Sequence, residues 1–248
     1  MKSGSTLDYL LNVLSRCRAG YIVLLDPDRH SIADCIHAAH QAEEAGVDAL
    51  LLGSSLLTND LNPFAKALRD ETSLPVIVFP GDSMHLSQHA DAILYLSLIS
   101  GRNANFLIGE QVKAAPLIHR CGIEAISTGY MLIDGGTATS VEVMSGTAPL
   151  PRDKLDIAWA HALAAEYLGM KFIYLEAGSG AKIPVPDEII GAVRKHVTIP
   201  IIVGGGITTP EMAVAKVNAG ADFIVTGNVI EQQNSISLMK RFADAVHG

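Results

Sequence analysis

The sequence predicts an α/β fold, a (β/α)8 TIM barrel spanning residues 1–248 as one domain, with the third helix missing or replaced by a short loop. Three observations predict it. Eight short apolar runs alternate with mostly amphipathic segments, the pattern of parallel strands covered by helices. The length of 248 residues, 49% of them hydrophobic and 18% charged, matches the ~250 that such a barrel usually takes. The last two apolar runs, IPIIVGGGI (199–207) and ADFIVTGN (221–228), both end in glycine, which has no Cβ to block the approach of backbone to a ligand.

Residues 6–16 place Leu7, Leu10, Leu11 and Leu14 at helical spacing behind Thr6 as cap, a helix suited to cover the barrel floor. Tyr21 to Leu25 is a β-branched-rich run that Asp26-Pro27-Asp28 breaks, so it is the first strand with Asp26 at its C-terminal end. Ser31 caps an amphipathic helix that stops at Gly46, and VDALLLGSS supplies the second strand, ending at Ser54 and Ser55. A short helix over 62–70 leads to the third strand, LPVIVFPGD (74–82). Only SMHLSQHA (83–90) then separates that strand's turn from the fourth, DAILYLSLIS (91–100), although a parallel crossover normally takes a dozen or more residues.

The fourth helix covers 100–122, with Pro116 expected to interrupt or kink it, and IEAISTGYMLI (123–133) is the fifth strand. Residues 134–151 carry Gly, Thr, Ser and Pro without helical period and read as a long loop. A helix from Asp153 to Leu168, the sixth strand KFIYLEAGSG (171–180) and a helix from Asp187 to His196 follow. The two glycine-tipped strands come last, with a helix between them and a final helix over roughly 229–245.

Composition narrows the function. A formal net charge of -8, with no block of Lys or Arg, excludes the electrostatic footprint of a nucleic-acid or anionic-membrane protein. Cys17, Cys35 and Cys121 are too few and too scattered for a disulfide framework or structural zinc, and fit a reducing cytoplasm. No apolar run approaches the ~18 residues of a membrane span. A cytoplasmic protein without stable membrane insertion is expected.

Active sites of such barrels lie at the C-terminal strand ends, which here carry Asp26, Ser55, Tyr130, Tyr174, Glu176, Ser179 and the glycines. Three successive glycine-rich ends, GSG, GGG and TGN, point to a phosphate ester held by backbone N–H groups, with Thr226 and Asn228 as further side-chain donors. Glu176 shares a strand face with Tyr174 in an otherwise apolar run, and suits the task of orienting a hydroxyl or accepting its proton. Asp26 with Ser55 offers Mg²⁺ one or two oxygens, the rest coming from water and phosphate. An Asx-turn for Asp26 and an ion pair for Glu176 are the structural alternatives. His85 and His89, at i, i+4 without a neighbouring Glu, read as surface histidines, and Trp159 and Tyr167 as packing or oligomer contacts.

Together LLDPD (24–28), DALLLGSS (48–55), SGRNANFLIG (100–109), STGYMLID (127–134), YLEAGSG (174–180), VGGGI (203–207) and VTGN (225–228) resemble the geranylgeranylglyceryl phosphate synthase family, nearly end to end and in its longer subgroup, group II. YLEAGSG carries most of that specificity; the family is also known for lacking a regular third helix. The resemblance implies an Mg²⁺-dependent prenyltransferase that joins a polyprenyl chain, geranylgeranyl from geranylgeranyl diphosphate, to the C3 hydroxyl of sn-glycerol 1-phosphate. An ether-lipid precursor and diphosphate would be the products. Carried over by position, Asp26 and Ser55 hold the metal. Tyr174, Leu175, Glu176, Ala177, Gly178, Ser179, Gly180, Gly205, Gly206, Gly227 and Asn228 bind glycerol 1-phosphate, with Glu176 and Tyr174 as the catalytic pair. The family's shorter subgroup has Lys two positions before the matching aspartate, in KLDP, where this chain has Leu24. A homo-oligomer, a hexamer among its forms, is implied as well.

Residues 92–99, AILYLSLI, beside the missing helix, are expected to open an apolar groove for the chain. A sugar-phosphate isomerase or lyase would share the glycine loops but needs an acid and base paired across the mouth. For that the fifth strand offers Ser127, Thr128 and Tyr130, with Asp134 beyond. A non-catalytic phosphate-binding barrel would not need Asp26 and Glu176 together at apolar strand ends.

Overall fold

A computed structural model describes residues 5–227 and 235–248. Eight parallel strands close on themselves in sequence order: β1 Gly20–Leu25, β2 Ala49–Leu52, β3 Val76–Val78, β4 Ala92–Leu98, β5 Glu124–Leu132, β6 Phe172–Glu176, β7 Ile201–Gly204 and β8 Phe223–Thr226. The closing pair sets Gly20 against Phe223 and Val23 against Thr226. Side chains of alternate parity separate into two cores. Ile22, Leu51, Ile77, Leu94, Ile126, Phe172, Ile202 and Val225 fill the barrel, while Val23, Leu50, Val78, Ile93, Ile173, Val203 and Ile224 pack outward under the helices.

The helices are α1 Thr6–Arg16, α2 Ile32–Ala45, α3 Leu61–Glu71, α4 Glu110–Cys121, α5 Ser140–Ser145, α6 Leu155–Tyr167, α7 Asp187–Arg194, α8 Pro210–Ala219 and α9 Ile236–His247. α1 plugs the floor by burying Leu10 in the inner core, with Leu7 and Leu14 beside it. Its cap is Ser5 rather than Thr6, and Leu11 faces solvent at 41% exposure, so the apolar face is narrower than expected. Ser31 caps α2 through a full capping box with Asp34.

Residues 79–91 join β3 to β4 without a helix, as the short connection predicted. Two expectations are corrected. Pro116 lies inside α4 without ending it; the irregularity precedes α4, where Asn105–Gly109 is π-helical. Gln111 sustains that turn by donating to the Phe106 carbonyl at 3.0 Å and to the Leu96 carbonyl. The segment 134–151 also contains a short helix, α5, capped by Thr139. Only six residues long, it leaves little room for a hydrophobic period. The final helix is observed over Ile236–His247, and its expected first residues lie outside those described.

Candidate functional site

The C-terminal strand ends enclose a mouth with about 1360 Å³ of space between its walls. From β1 come Leu24, Asp26 and Arg29; from β2, Gly53 to Ser55; from β6, Tyr174, Glu176, Ser179 and Gly180; from β7 and β8, Gly205, Gly206, Thr208 and Gly227. Asp26, Ser55, Tyr174, Glu176, Ser179, Gly180, Gly205, Gly206 and Gly227 are thus brought to one cavity, as their sequence positions predicted. Leu175 and Ala177 are not: both are fully buried in the outer core, because strand parity turns them towards the helices. Gly178 contributes its N–H to Glu176 and leaves room for Thr139, which a Cβ there would overlap. Asn228 lies outside the described residues.

Glu176 is 6% exposed. Its Oε1 accepts the Gly178 N–H at 2.6 Å. Burial pushes its carboxyl up to about 7, against the opposing pull of that N–H and of the neighbouring Tyr174 hydroxyl. Phe79, Tyr130 and Tyr174 pack ring on ring beneath it, with centroids 5.4 to 6.1 Å apart. The two tyrosine hydroxyls are buried and meet no protein partner with good hydrogen-bond geometry. Burial, with Glu176 adding to it, holds both phenols well above their ordinary range, so they stay neutral. Unsatisfied buried hydroxyls on a cavity wall suit a polar ligand that completes them.

β7 ends in consecutive glycines with positive φ, Gly205 at 81° and Gly206 at 70°. Gly204 is packed so closely that a Cβ would stand 2.6 Å from the Tyr174 hydroxyl and 2.8 Å from Glu176 Oε2. The N–H groups of Gly205 and Gly206 donate to no protein acceptor among the described residues. They form a concavity suited to an anion.

The DPDRHS turn divides its charges by direction. Asp28 accepts from Thr58 N–H at 2.8 Å and Asn59 N–H at 2.9 Å, which ties the loop to the β2–α3 connection and removes that carboxylate from the site. Asp26 forms the Asx-turn considered from sequence, Oδ1 accepting the Asp28 N–H at 3.0 Å, and its Oδ2 also lies 3.3 Å from Arg29 Nε. Gly81 holds Ser55 from behind: a Cβ there would lie 2.5 Å from the Ser55 carbonyl.

A second, largely apolar cavity opens sideways from the mouth where the third helix is missing. Its walls include Ile93 to Leu96 and Leu98 of β4, Phe106 of the π-helical turn, Ala114 of α4, and Val141 and Met144 of α5. Ser54, Ser55, Phe79, Tyr130 and Val141 line both cavities and form the junction. Glu110 fastens the polar rim, accepting from Ser83 N–H at 3.0 Å and Lys113 at 2.6 Å. Those bonds lower its carboxyl to about 2, the Lys113 contact most, so it stays ionised.

Several expected roles are corrected. Thr226 is among the residues lining the mouth, and its hydroxyl is paired with the Tyr21 hydroxyl at 2.7 Å. His85 is buried rather than on the surface, Nδ1 accepting the Gly81 N–H at 2.9 Å, and thereby folds the β3–β4 turn. Asp134 bonds the Gly136 N–H at 2.8 Å and stays out of both cavities. Trp159 stacks on His196 at 4.2 Å, while Tyr167 is 80% exposed. Phe79 and Arg29 were missed; inward parity with Ile77 could have found the first, and the charge in DPDRHS the second.

The PcrB family model matches residues 13–246. The geranylgeranylglyceryl phosphate synthase of Chitinophaga pinensis is 48% identical over 228 residues, 92% of this chain and 90% of that protein. The enzyme of the same name from Thermococcus kodakarensis is 44% identical over 238 residues, 95% of this chain and 93% of that one. A crystal structure of (S)-3-O-geranylgeranylglyceryl phosphate synthase from Thermoplasma acidophilum, in complex with its substrate sn-glycerol-1-phosphate, matches with a TM-score of 0.93 at 34% identity, over 98% of this chain and 99% of that one.

Proposed function

The chain belongs to the PcrB family, and from that membership and the site's geometry we propose that it transfers a geranylgeranyl group from its diphosphate to the C3 hydroxyl of sn-glycerol 1-phosphate. The observation that carries this reading is the junction at Tyr130 and Phe79, where a polar mouth with a glycine-lined anion cradle meets an apolar side groove. A phosphorylated triol and a long hydrocarbon diphosphate need those two compartments, with their reacting atoms at the seam.

The Gly205 and Gly206 amides receive the acceptor's phosphate, and Glu176 and the Tyr174 hydroxyl face its glycerol hydroxyls. A C–O bond forms between the C3 oxygen and C1 of the chain as the bond from C1 to diphosphate breaks. The hydroxyl proton passes to Glu176, whose carboxyl at about 7 is matched to that task. The rings of Phe79, Tyr130 and Tyr174 offer π faces beside C1, where allylic positive charge develops.

Asp26 and Ser55 would hold Mg²⁺. Among the described residues no group of three His, Cys, Asp or Glu could form a protein cage for a metal. One carboxylate and one hydroxyl at a phosphate-sized mouth nevertheless fit an ion that keeps water and substrate oxygens as its other ligands. When bound, Mg²⁺ supplies positive charge to the leaving diphosphate.

The test is incubation with geranylgeranyl diphosphate, radiolabelled sn-glycerol 1-phosphate and Mg²⁺, followed by organic extraction. An extractable labelled ether is expected, and its loss on chelation with recovery on added Mg²⁺. No product with any chain length would refute the transfer, and full activity under chelation would refute the metal. Leu96→Trp narrows the groove wall and is expected to lower kcat/KM for the geranylgeranyl donor about tenfold or more, shorter donors being spared. Equal rates at every chain length would show that the tail lies elsewhere.

A further inference from the structure

The mouth has two carboxylates, Asp26 and Glu176, and among its described lining residues a single cationic side chain, Arg29. The acceptor cradle is neutral backbone, adequate for a monoester at a helix-lined barrel end. A diphosphate brings more charge, and more still as its bond to C1 breaks. The side that would receive it has Asp26 as its own nearest charge.

Resting on the transfer proposed above, we propose that Arg29 binds the diphosphate of the prenyl donor, giving up its ion pair with Asp26 for the leaving group's oxygens. The turn is built for that exchange. The Arg29 N–H donates to the Asp26 carbonyl at 3.1 Å, which fixes the arginine's backbone above the strand end. Asp28, the other carboxylate of the turn, accepts from Thr58 and Asn59. The pair with Asp26 is open: Nε stands 3.3 Å from Oδ2, and the Arg29 side chain is 53% exposed. The Asp26 side chain is 13% exposed and meets the guanidinium through that one long Nε contact, whereas a guanidinium fork meets phosphate oxygens in a bidentate, charge-assisted geometry.

Arg29→Gln and Arg29→Lys test this in the full-length protein, by calorimetric titration with inorganic diphosphate in Mg²⁺ buffer and by steady-state kinetics. Arg29→Gln is expected to weaken inorganic diphosphate binding about tenfold to a hundredfold and to raise KM for geranylgeranyl diphosphate by a similar factor. KM for sn-glycerol 1-phosphate should stay within about twofold, and Arg29→Lys should recover part of the loss, since charge without the fork still attracts the anion. A thermal midpoint equal to wild type excludes misfolding as the cause. The inference is overturned if diphosphate affinity is unchanged, or if the KM shift falls on sn-glycerol 1-phosphate, which would assign Arg29 to the acceptor. If wild type forms no ether yet binds inorganic diphosphate through Arg29, the transfer reading fails and this one stands. If ether forms and Arg29→Gln behaves as wild type, only this one fails.

Discussion

Glu176→Gln is expected to lower turnover by about 10²–10⁴-fold, the range lost with a general base, while making the protein more stable in mild alkali. Both follow from one placement. The carboxyl is buried, and burial raises it from 4.5 to about 7, outweighing the Gly178 N–H and the Tyr174 hydroxyl that favour its ionised form. A carboxyl with a raised native pKa contributes stability that is fully present below its unfolded value of about 4.5 and is lost as pH rises through about 7. The rise corresponds to about 3 kcal/mol by pH 8. Glutamine keeps the oxygen that accepts from Gly178 and carries no charge to desolvate, so at pH 8 the variant should melt on the order of 10 °C higher than wild type. Near pH 4 the two should coincide.

The same titration shapes the rate. Wild-type kcat/KM should climb as pH rises through about 7, because only the ionised carboxylate can take the hydroxyl's proton. The residual activity of Glu176→Gln should lack that limb. A variant with near-normal turnover would leave Glu176 as a residue that orients the hydroxyl, or as no participant at all. Unchanged stability at pH 8 would show that the carboxyl is not strained by its burial.

The barrel was legible because parallel strands covered on both faces must be continuously apolar, and because breakers such as Asp26-Pro27 and the terminal glycines mark where each strand stops. The missing helix was legible because the stretch between the third strand's turn and the fourth strand is too short for a regular crossover helix. Facing was harder. Tyr174 and Glu176 share parity, which already turns Leu175 outward, yet the resemblance assigned the whole run from 174 to 180 to the substrate; those side chains divide between mouth and outer core. Thr226 on β8 is similar: alternation separates it from Val225, but only the fold shows its hydroxyl paired with that of Tyr21. His85 and α5 were illegible for another reason, because a loop histidine satisfied by a backbone N–H and a six-residue helix leave no periodic trace. Arg29 gave only a charge in a turn; its place in the mouth follows from how the loop after β1 folds, which its residue type does not encode.

Gly205→Ala is expected to abolish most activity by a route that removes no charged group. At φ 81° an alanine is strained by about 1–2 kcal/mol wherever it sits. Gly169, at φ 82° with nothing within 4 Å of an added Cβ, measures that strain alone. At Gly205 the Cβ would overlap Glu176 Oε1 and stand 2.8 Å from the Gly178 nitrogen and 2.9 Å from the Ala177 nitrogen. Two of those three neighbours are backbone, so the carboxylate must yield, breaking its bond to Gly178 and shifting the amides that face the phosphate. Gly169→Ala should therefore lose about 1 kcal/mol of stability with unaltered kinetics. Gly205→Ala should lose more, and should raise KM for sn-glycerol 1-phosphate and lower kcat together, with kcat/KM falling about a hundredfold or more. Equal kinetics for the two variants would mean that the glycine serves only the turn, and the proposed acceptor cradle would have to be sought on another strand end.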